Sequence, residues 1–303
     1  MYRKIKDYFR LFLYNIFMFL FRVTPNFIMK NILKFMAFFA YKFNKKHLKI
    51  ARINLDLVYK NSISEERKEE IIYNSYKSLV FNMYELIENE NISKDKLLKK
   101  ADILNKEIIE KAFEGNRKII YITAHYGGWE ITLPYIAQMF GEIAVVNRKM
   151  ENPHLQEKYA QARSKNKITM LEKDSAAKGM IKAFKDNKSI AVVIDQHIGS
   201  GIEIDFLGIK DKATDSTSRM ALKFDAIIIP IFTVNNDFRD WTIKVCEPID
   251  VRNFEFKTDD KIKELTQAQN DIVSKQILEK PDFWLWQHKR FKEIHNNLYK
   301  RKN

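Results

Sequence analysis

The chain is short of the residues that define several protein classes. Its 303 residues include one cysteine, eight glycines and six prolines. A single cysteine excludes a fold stapled by internal disulfides and indicates a reducing environment. The low glycine and proline content excludes a fibrous or loop-rich chain. What remains is long enough for one large α/β domain or two small ones, with a substantial buried core.

Several common catalytic motifs are also absent. The sequence contains no G-x-S-x-G, G-x-x-x-x-G-K-[ST], H-E-x-x-H or G-x-G-x-x-G, which argues against a serine hydrolase of that type, a P-loop enzyme, a zincin and a dinucleotide-dependent dehydrogenase. Its six histidines lack metal-ligand spacing. Cys246 lies in the strand-like run WTIKVCEP, where we expect a small buried hydrophobe rather than a nucleophile. We therefore predict no metal site and no cofactor.

Positive charge is concentrated at the N-terminus. The net charge is +14, and residues 1–60 contain 13 Lys and Arg against Asp7 and Asp56. This segment is rich in phenylalanine, yet its uncharged run Leu11 to Phe21 has only 11 residues, whereas a bilayer span needs about 20. We predict a retained anchor of amphipathic helices, held by apolar burial and by anionic lipid. The alternatives are a buried basic helical hairpin and a single tilted span over residues 8–28.

The rest of the chain alternates between helical and strand patterns. Apolar residues at three-to-four spacing predict helices over residues 65–90 and roughly 94–114, the second ending at Gly115. A late helix within residues 258–280 ends before Pro281. Between them, short runs rich in Ile and Val are typical of strands buried on both faces. We predict one α/β domain over residues 61–303, with a mainly parallel central sheet flanked by helices. The strand-like runs are RKIIYITA, GEIAVVN, KSIAVVID, AIIIPIFTV and DWTIKVCEP.

A histidine and a carboxylate flank a sharp turn in the segment KIIYITAHYGGWEITLP. His125 follows a strand, Gly127 and Gly128 permit the turn, and Glu130 would open the next helix. In open α/β sheets, chemistry usually lies at the C-terminal ends of strands. A carboxylate that holds one ring N–H turns a histidine into a general base. The alternative is a structural histidine, because H-x4-E often occurs by chance. The strand, turn and helix around this motif make the two interpretations, a structural histidine and a general base for a substrate hydroxyl, about equally favoured.

Six blocks in order across the chain resemble the lipid A biosynthesis late acyltransferases. These lauroyl- and myristoyl-transferring enzymes belong to the wider H-x4-[DE] lysophospholipid acyltransferase group. The resemblance implies a fold similar to that of glycerolphosphate acyltransferases. It also implies transfer of a fatty acyl chain from an acyl carrier protein to a hydroxyl of a phosphorylated lipid A precursor, at the cytoplasmic face of the inner membrane. The blocks are TAHYGGWE (123–130), VNRKMENPHL (146–155), ARSKN (162–166), VVIDQHIGSG (192–201), IDFLGIKDKATDSTSRMALKFDAIIIPIF (204–232) and WLWQHKRFK (284–292).

The resemblance also implies roles for single residues. It assigns catalysis to His125, Glu130, Arg163 and Asp195. The planar fork of Arg163 suits a phosphate or the charge that develops on a thioester oxygen, while Asp195 would orient Arg163 or His125, or cap the next helix. We expect Glu130 to orient His125. The substrate-binding candidates are Arg148, Gly127, Gly128, Gln196, Thr217 and Arg219.

Two stretches in these blocks have more than one interpretation. The run TDSTSRM (214–220) places hydroxyls at a helix start, where they receive an anion or simply cap the helix. The run WLWQHKRFK mixes tryptophan with cations, which suits a lipid headgroup interface or a packed terminal helix.

Other functions fit part of the pattern. A basic nucleic-acid-binding protein would use the same charge for phosphates and its aromatics for base stacking, although the charge lies among Phe, Leu and Ile. An acyltransferase of the same group acting on another glycolipid or a lysophospholipid is the nearer alternative. The expected partners are an acyl carrier protein, a phosphorylated lipid A precursor and an anionic membrane surface, with no nucleic acid.

Overall fold

A mainly parallel sheet forms the centre of the fold. The structure is a computed structural model that describes residues 2–300, without the side chains of residues 2–5, 17 and 22. Ten strands are present in the described chain, eight of them in the central sheet and two in a separate hairpin. The strands are β1 (Ala101–Leu104), β2 (Ile119–Thr123), β3 (Ile143–Asn147), β4 (Ile168–Glu172), β5 (Ser189–Val193), β6 (Ile202–Phe206), β7 (Ile209–Ala213), β8 (Ile227–Asp237), β9 (Asp240–Val245) and β10 (Ile249–Asp250).

The strand order in the sheet is β1-β9-β8-β2-β5-β3-β4, with β10 paired to β8. Strands β8, β2, β5, β3 and β4 run parallel to one another. The exceptions are β9 and β10, which pair antiparallel with β8, and β1, which pairs parallel with β9 and therefore runs opposite to the five parallel strands. Because β2 and β5 are parallel neighbours at the centre, the residues that follow them meet at the same edge of the sheet.

Helices cover both faces of this sheet. One face packs against α3, α9, α10 and α11, and the other against α2, α4, α6 and α7. This layered arrangement confirms the predicted α/β fold class. The helices are α1 (Tyr2–Val23), α2 (Asn26–Phe43), α3 (Lys45–Tyr59), α4 (Glu65–Glu88), α5 (Lys94–Leu98), α6 (Glu107–Glu114), α7 (Trp129–Phe140), α8 (Pro153–Lys165), α9 (Ala176–Lys185), α10 (Ser216–Phe224), α11 (Lys261–Glu279) and α12 (Lys292–Lys300).

The five strands predicted from Ile- and Val-rich runs are all present, as β2, β3, β5, β8 and β9. The single helix predicted over residues 94–114 is wrong, because strand β1 separates α5 from α6. Strand β1 has four residues and pairs with β9 at the sheet edge, so it is too short to break the apolar spacing of its neighbours. Gly115 does follow α6, as predicted.

The two N-terminal helices each bury one face and expose the other. Helix α2 packs Met29, Leu33 and Ala37 against the body of the protein, while its outer face shows phenylalanines to solvent. These uncovered aromatics rule out the alternative of a buried hairpin. The exposed phenylalanines of the two helices are Phe9, Phe12, Phe19, Phe27, Phe35, Phe38, Phe39 and Phe43.

The chain breaks between α1 and α2 at Thr24 and Pro25. Proline lacks the backbone N–H that a continuing helix would use, so a new helix starts there. Among residues 2–300, none of the helices combines the length and the apolar character that crossing a membrane requires. One continuous helix over residues 8–28, which the single tilted span requires, is not present, because α1 ends at Val23 and α2 begins at Asn26.

Candidate active site

His125 lies just beyond the C-terminal end of β2, and Asp195 lies just beyond the neighbouring strand β5. The Nδ1 atom of His125 is 2.8 Å from Oδ1 of Asp195, and the backbone N–H of His125 donates to Oδ2 of the same carboxylate at 3.0 Å. The indole Nε1 of Trp284 also donates to that Oδ2, at 2.7 Å. Because a carboxylate only accepts, Nδ1 carries the proton and Nε2 is left with its lone pair.

Burial and charge oppose each other at this pair. Burial disfavours the imidazolium, but the charge of Asp195, its hydrogen bond and the charge of Glu130 outweigh that effect and raise the pKa of His125. Burial likewise disfavours the carboxylate of Asp195, whose pKa is nevertheless lowered by His125 and by the hydrogen bonds from His125 and Trp284. The side chain of Asp195 is 3% exposed and that of His125 is 20% exposed. The imidazole is therefore the part of the pair that an incoming molecule can reach.

The free nitrogen of His125 is approached by Gln196. The amide Nε2 of Gln196 lies 3.1 Å from Nε2 of His125 and donates to it. Gln196 is exposed, so a ligand can displace its side chain without unfolding the strand end. The ring of Trp129 packs edge-on against His125, with 5.2 Å between the ring centres. These contacts orient the His125 ring so that Nε2 faces outward.

Glu130 forms an ion pair with Arg163, whereas we expected it to contact His125. Arg163 donates to the carboxylate of Glu130 and, at 2.8 Å, to the hydroxyl of Tyr159. Both members of the ion pair are buried, with 11% and 9% of their side chains exposed. Burial lowers the pKa of Arg163, but the charges of Glu130 and Tyr159 and the hydrogen bonds to both together outweigh burial, so the pKa is raised. The guanidinium is thus already matched by a carboxylate, instead of being free for a phosphate.

The Glu130–Arg163 pair fixes the start of helix α7. The backbone N–H of Glu130, in the first turn of that helix, donates to Asn82 Oδ1 of α4 at 2.9 Å. Arg163 comes from α8, so the pair joins α7 to α8 while Asn82 joins it to α4. A crevice of about 20 Å³ borders the pair, with room for about one water molecule. The arrangement holds the segment between His125 and α7 in place.

Gly127 and Gly128 form the turn through backbone geometry. Gly127 has a φ of +56°, and a Cβ there would lie 1.7 Å from the carbonyl oxygen of Thr233. A Cβ on Gly128 would lie 2.7 Å from the ring of Trp241. Their amides donate to the carbonyls of Phe283 and Thr233 at 2.9 and 3.1 Å. Both amides are therefore engaged inside the protein, so they are not donors to a substrate in this arrangement.

The remaining predicted binding residues lie outside this cluster. Arg148 is exposed in the loop after β3. Thr217 is buried and its hydroxyl donates to Gln269 of α11 at 2.6 Å, so it pins two helices together. Arg219 is 61% exposed and pairs with Asp215 four residues earlier. The hydroxyl run at 214–220 thus serves helix packing at Thr217 rather than an open anion site.

The segment 284–292 is an internal part of the site, and its interpretation as a lipid interface is wrong. Trp284, Trp286 and Arg290 are all buried. Nε2 of His288 accepts the backbone N–H of His197 at 3.1 Å and so holds the loop that carries Gln196. Burial lowers the pKa of His288 to about 4, which keeps it neutral as that acceptor. The sequence signal was the tryptophan-rich run itself, for which the other predicted interpretation was a packed terminal helix.

Among the described residues, no group of three or more His, Cys, Asp or Glu side chains is arranged to hold a metal ion. Cys246 is half-buried, and burial raises the pKa of its thiol.

Comparisons with known proteins extend across nearly the whole chain. A family model described as bacterial lipid A biosynthesis acyltransferase matches residues 2–293. The lipid A biosynthesis acyltransferase of Haemophilus influenzae is 24% identical over 258 residues, which cover 83% of this chain and 79% of that protein. The lipid A biosynthesis lauroyltransferase of Escherichia coli is 24% identical over 261 residues, which cover 84% of this chain and 81% of that protein. The matched range includes the sheet, the His125 turn and the buried 284–292 segment, and the chain therefore belongs to the bacterial lipid A biosynthesis acyltransferase family, as an acyltransferase of lipid A biosynthesis.

Proposed function

We propose that the chain moves a fatty acyl group from the thioester of an acyl carrier protein to a hydroxyl of a phosphorylated lipid A precursor, with His125 as the general base. The observation that carries this proposal is the pairing of His125 Nδ1 with Asp195, which leaves Nε2 unprotonated. Family membership favours this chemistry over the nucleic-acid-binding alternative.

In the proposed reaction, the acceptor hydroxyl gives its proton to Nε2 of His125 as its oxygen attacks the thioester carbonyl carbon. The tetrahedral intermediate then collapses with cleavage of the carbon–sulfur bond. The proton passes from Nε2 to the departing thiolate, so His125 returns to its neutral form. A positioned base of this kind contributes about 10²- to 10⁴-fold in rate.

The neighbouring residues have distinct roles in this proposal. Asp195 fixes the tautomer of His125 and stabilises the imidazolium that forms. The acceptor hydroxyl displaces the amide of Gln196 from Nε2, and that amide becomes a donor for the thioester oxygen. Glu130 and Arg163 position the start of α7 and add negative charge near His125. Arg148, exposed beyond β3, remains a candidate for contact with the substrate phosphate.

The N-terminal helices supply the membrane contact. Residues 1–60 form the membrane-facing region and residues 61–303 the acyltransferase domain, docked at the cytoplasmic face of the inner membrane. The support is the uncovered aromatic face of α1 and α2 together with the basic residues between the aromatics. Helix α3 joins the two parts, because Ala51 and Leu55 are buried in the core beside the sheet.

Acyl transfer by the purified full chain in lipid vesicles tests this function. With an acylated carrier protein and a lipid A precursor, His125→Ala is expected to lower the rate by about 10²- to 10⁴-fold. His295→Ala, which removes a histidine of α12, is the matched control and should keep the wild-type rate. Retained transfer by His125→Ala would refute the assignment. A faster reaction with acyl coenzyme A than with the carrier protein would refute the proposed donor.

A further inference from the structure

A second polar cavity lies apart from the His125 site. Its volume is about 480 Å³, and it lies where α2, α4, the end of β8 and the turn Pro281–Phe283 meet. Its lining includes three lysines, three asparagines and one serine, and Phe81 and Phe283 are its two aromatic residues. A cavity of this size has room for a small charged headgroup.

The carboxylates around this cavity are matched by other cations. Arg67 pairs with Glu70 at 2.7 Å and with Asp282 at 2.9 Å. Asp237 pairs with Lys30 at 2.5 Å, and that contact lowers the pKa of Asp237. Three other lysines line the cavity and have no carboxylate within ion-pair distance in the part of the chain that the structure describes. They are Lys34, Lys77 and Lys280.

A buried hydroxyl in the same cavity also lacks a partner. Ser78 is 2% exposed and lines the cavity, and its Oγ has no hydrogen-bond partner among the described residues. A buried polar atom without a partner costs free energy, so a native site that retains one is expected to satisfy it with a bound group or water. Lysine ammonium groups and a hydroxyl donor are a suitable set for the terminal oxygens of a phosphate.

The position of the cavity indicates where such a phosphate comes from. Lys34 lies on α2 next to Phe35, whose side chain is 65% exposed on the proposed membrane-facing side. A lipid whose chains lie along this aromatic face would bring its headgroup to Lys34. The opposite wall is formed by Phe283, whose carbonyl accepts the N–H of Gly127. A bound headgroup would therefore lie between the membrane helices and the turn that follows His125.

We propose that this cavity binds the phosphate monoester headgroup of a membrane lipid, separately from the acyl-transfer site. The inference rests on the proposed docking of α1 and α2 for the lipid part, and on the three lysines and Ser78 for the phosphate part. A monoester presents three terminal oxygens and up to two negative charges, which Lys34, Lys77, Lys280 and the Ser78 hydroxyl match.

Co-sedimentation of the full chain with two kinds of vesicle tests this inference. One kind contains phosphatidic acid, which carries a phosphate monoester, and the other contains phosphatidylglycerol at equal surface potential. The wild-type protein is expected to bind the phosphatidic acid vesicles more tightly. The double variant Lys77→Gln/Lys280→Gln should bind the phosphatidic acid vesicles about tenfold more weakly and so lose that preference, because two charge-assisted contacts to the monoester are removed.

Two further variants separate a defined site from general attraction. Lys42→Gln removes the same charge from α2 outside the cavity and should weaken binding to both vesicles equally. Ser78→Ala should reduce the preference for phosphatidic acid while leaving the melting temperature at or above the wild-type value. An equal loss of preference in Lys42→Gln, or an unchanged preference in Ser78→Ala, would overturn the inference.

The source of the phosphate is tested in the same assay. Excess inorganic phosphate should leave the preference intact, because the lipid is concentrated at the vesicle surface. Loss of the preference would mean that the site binds free phosphate, and it would overturn the lipid assignment. Wild-type protein that binds both vesicles equally would overturn the inference while leaving the docking of α1 and α2 standing. Binding to neither vesicle would overturn both.

Discussion

Strand β2 and the outer face of α2 are both built from large apolar side chains, yet their surroundings are opposite. Ile119, Ile120 and Ile122 of β2 are at most 1% exposed, because strands lie on both sides and helices on both faces. Phe35 and Phe43 of α2 are 65% and 63% exposed, because only the inner face of that helix packs on the protein. Apolar composition alone therefore does not tell a core element from an interaction surface. An uncovered apolar stripe of this kind marks a contact with another molecule or a membrane.

In the protein interior, we expect substitutions of the buried charged residues to be the most destabilising. Arg290 and Asp211 are both fully buried and pair at 2.7 Å. Arg290→Ala leaves the carboxylate without its cation, and we expect a loss of about 3–5 kcal/mol in the free energy of unfolding, measured by denaturant titration in detergent. The exposed pair provides the control, since Arg219→Ala should cost less than about 1 kcal/mol. The double change Arg290→Leu/Asp211→Leu should recover much of the loss; an equally unstable double variant would contradict this explanation.

Truncating one apolar side chain in β2 and one on the outer face of α2 compares these two regions directly. Ile120→Ala opens a cavity between packed neighbours, and we expect it to lower the free energy of unfolding by about 2–5 kcal/mol. Phe39→Ala removes a side chain that is 51% exposed and should change stability by less than about 0.5 kcal/mol. The measurement is the same denaturant titration. Similar losses for the two variants would mean that the α2 face is covered within the protein.

Substitutions on the exposed aromatic face of α2 should weaken membrane binding rather than stability. A triple variant, Phe35→Ser with Phe39→Ser and Phe43→Ser, should bind anionic vesicles more than tenfold more weakly, since burying one phenylalanine is worth about 1.5–3 kcal/mol. Its free energy of unfolding should stay near the wild-type value. Leu104→Ser, at a residue of β1 that is 50% exposed, is the control and should bind vesicles as the wild type does. Undiminished binding by the triple variant would exclude this face as the anchor.

The parts of the fold that the sequence predicted are those with strong local patterns. The buried runs of β2, β3, β5, β8 and β9 are rich in Ile and Val because both faces are covered. Strands β1 and β4 lie at the two edges of the sheet, and the β6–β7 hairpin has charged residues between its apolar ones, so their patterns are weaker. The division of the chain at residue 60 stays a prediction.

The sequence pointed to candidate site residues more readily than to the contacts between them. The sequence brought His125 and Glu130 to attention because they are five positions apart across a turn. The carboxylate that holds His125 belongs to Asp195, 70 residues away, and only the parallel pairing of β2 with β5 brings it there. Trp284, whose indole N–H also donates to Asp195, lies still further along the chain. Contacts of this kind depend on sheet order, which local periodicity does not encode.

The pH dependence of acyl transfer tests most directly which carboxylate controls His125. Only the neutral imidazole accepts a proton, so the wild-type rate should rise with pH through the raised pKa of His125. Asp195→Asn removes both the neighbouring charge and the hydrogen bond that raise this pKa, so the rise should move to lower pH and the maximal rate should fall. Glu130→Gln removes the ion-pair partner of Arg163 and the smallest of the influences that raise the pKa of His125, while the Asp195 contacts stay, so it should move the rise by a smaller amount. A larger shift in Glu130→Gln than in Asp195→Asn would contradict the pairing of His125 with Asp195 as the basis of catalysis.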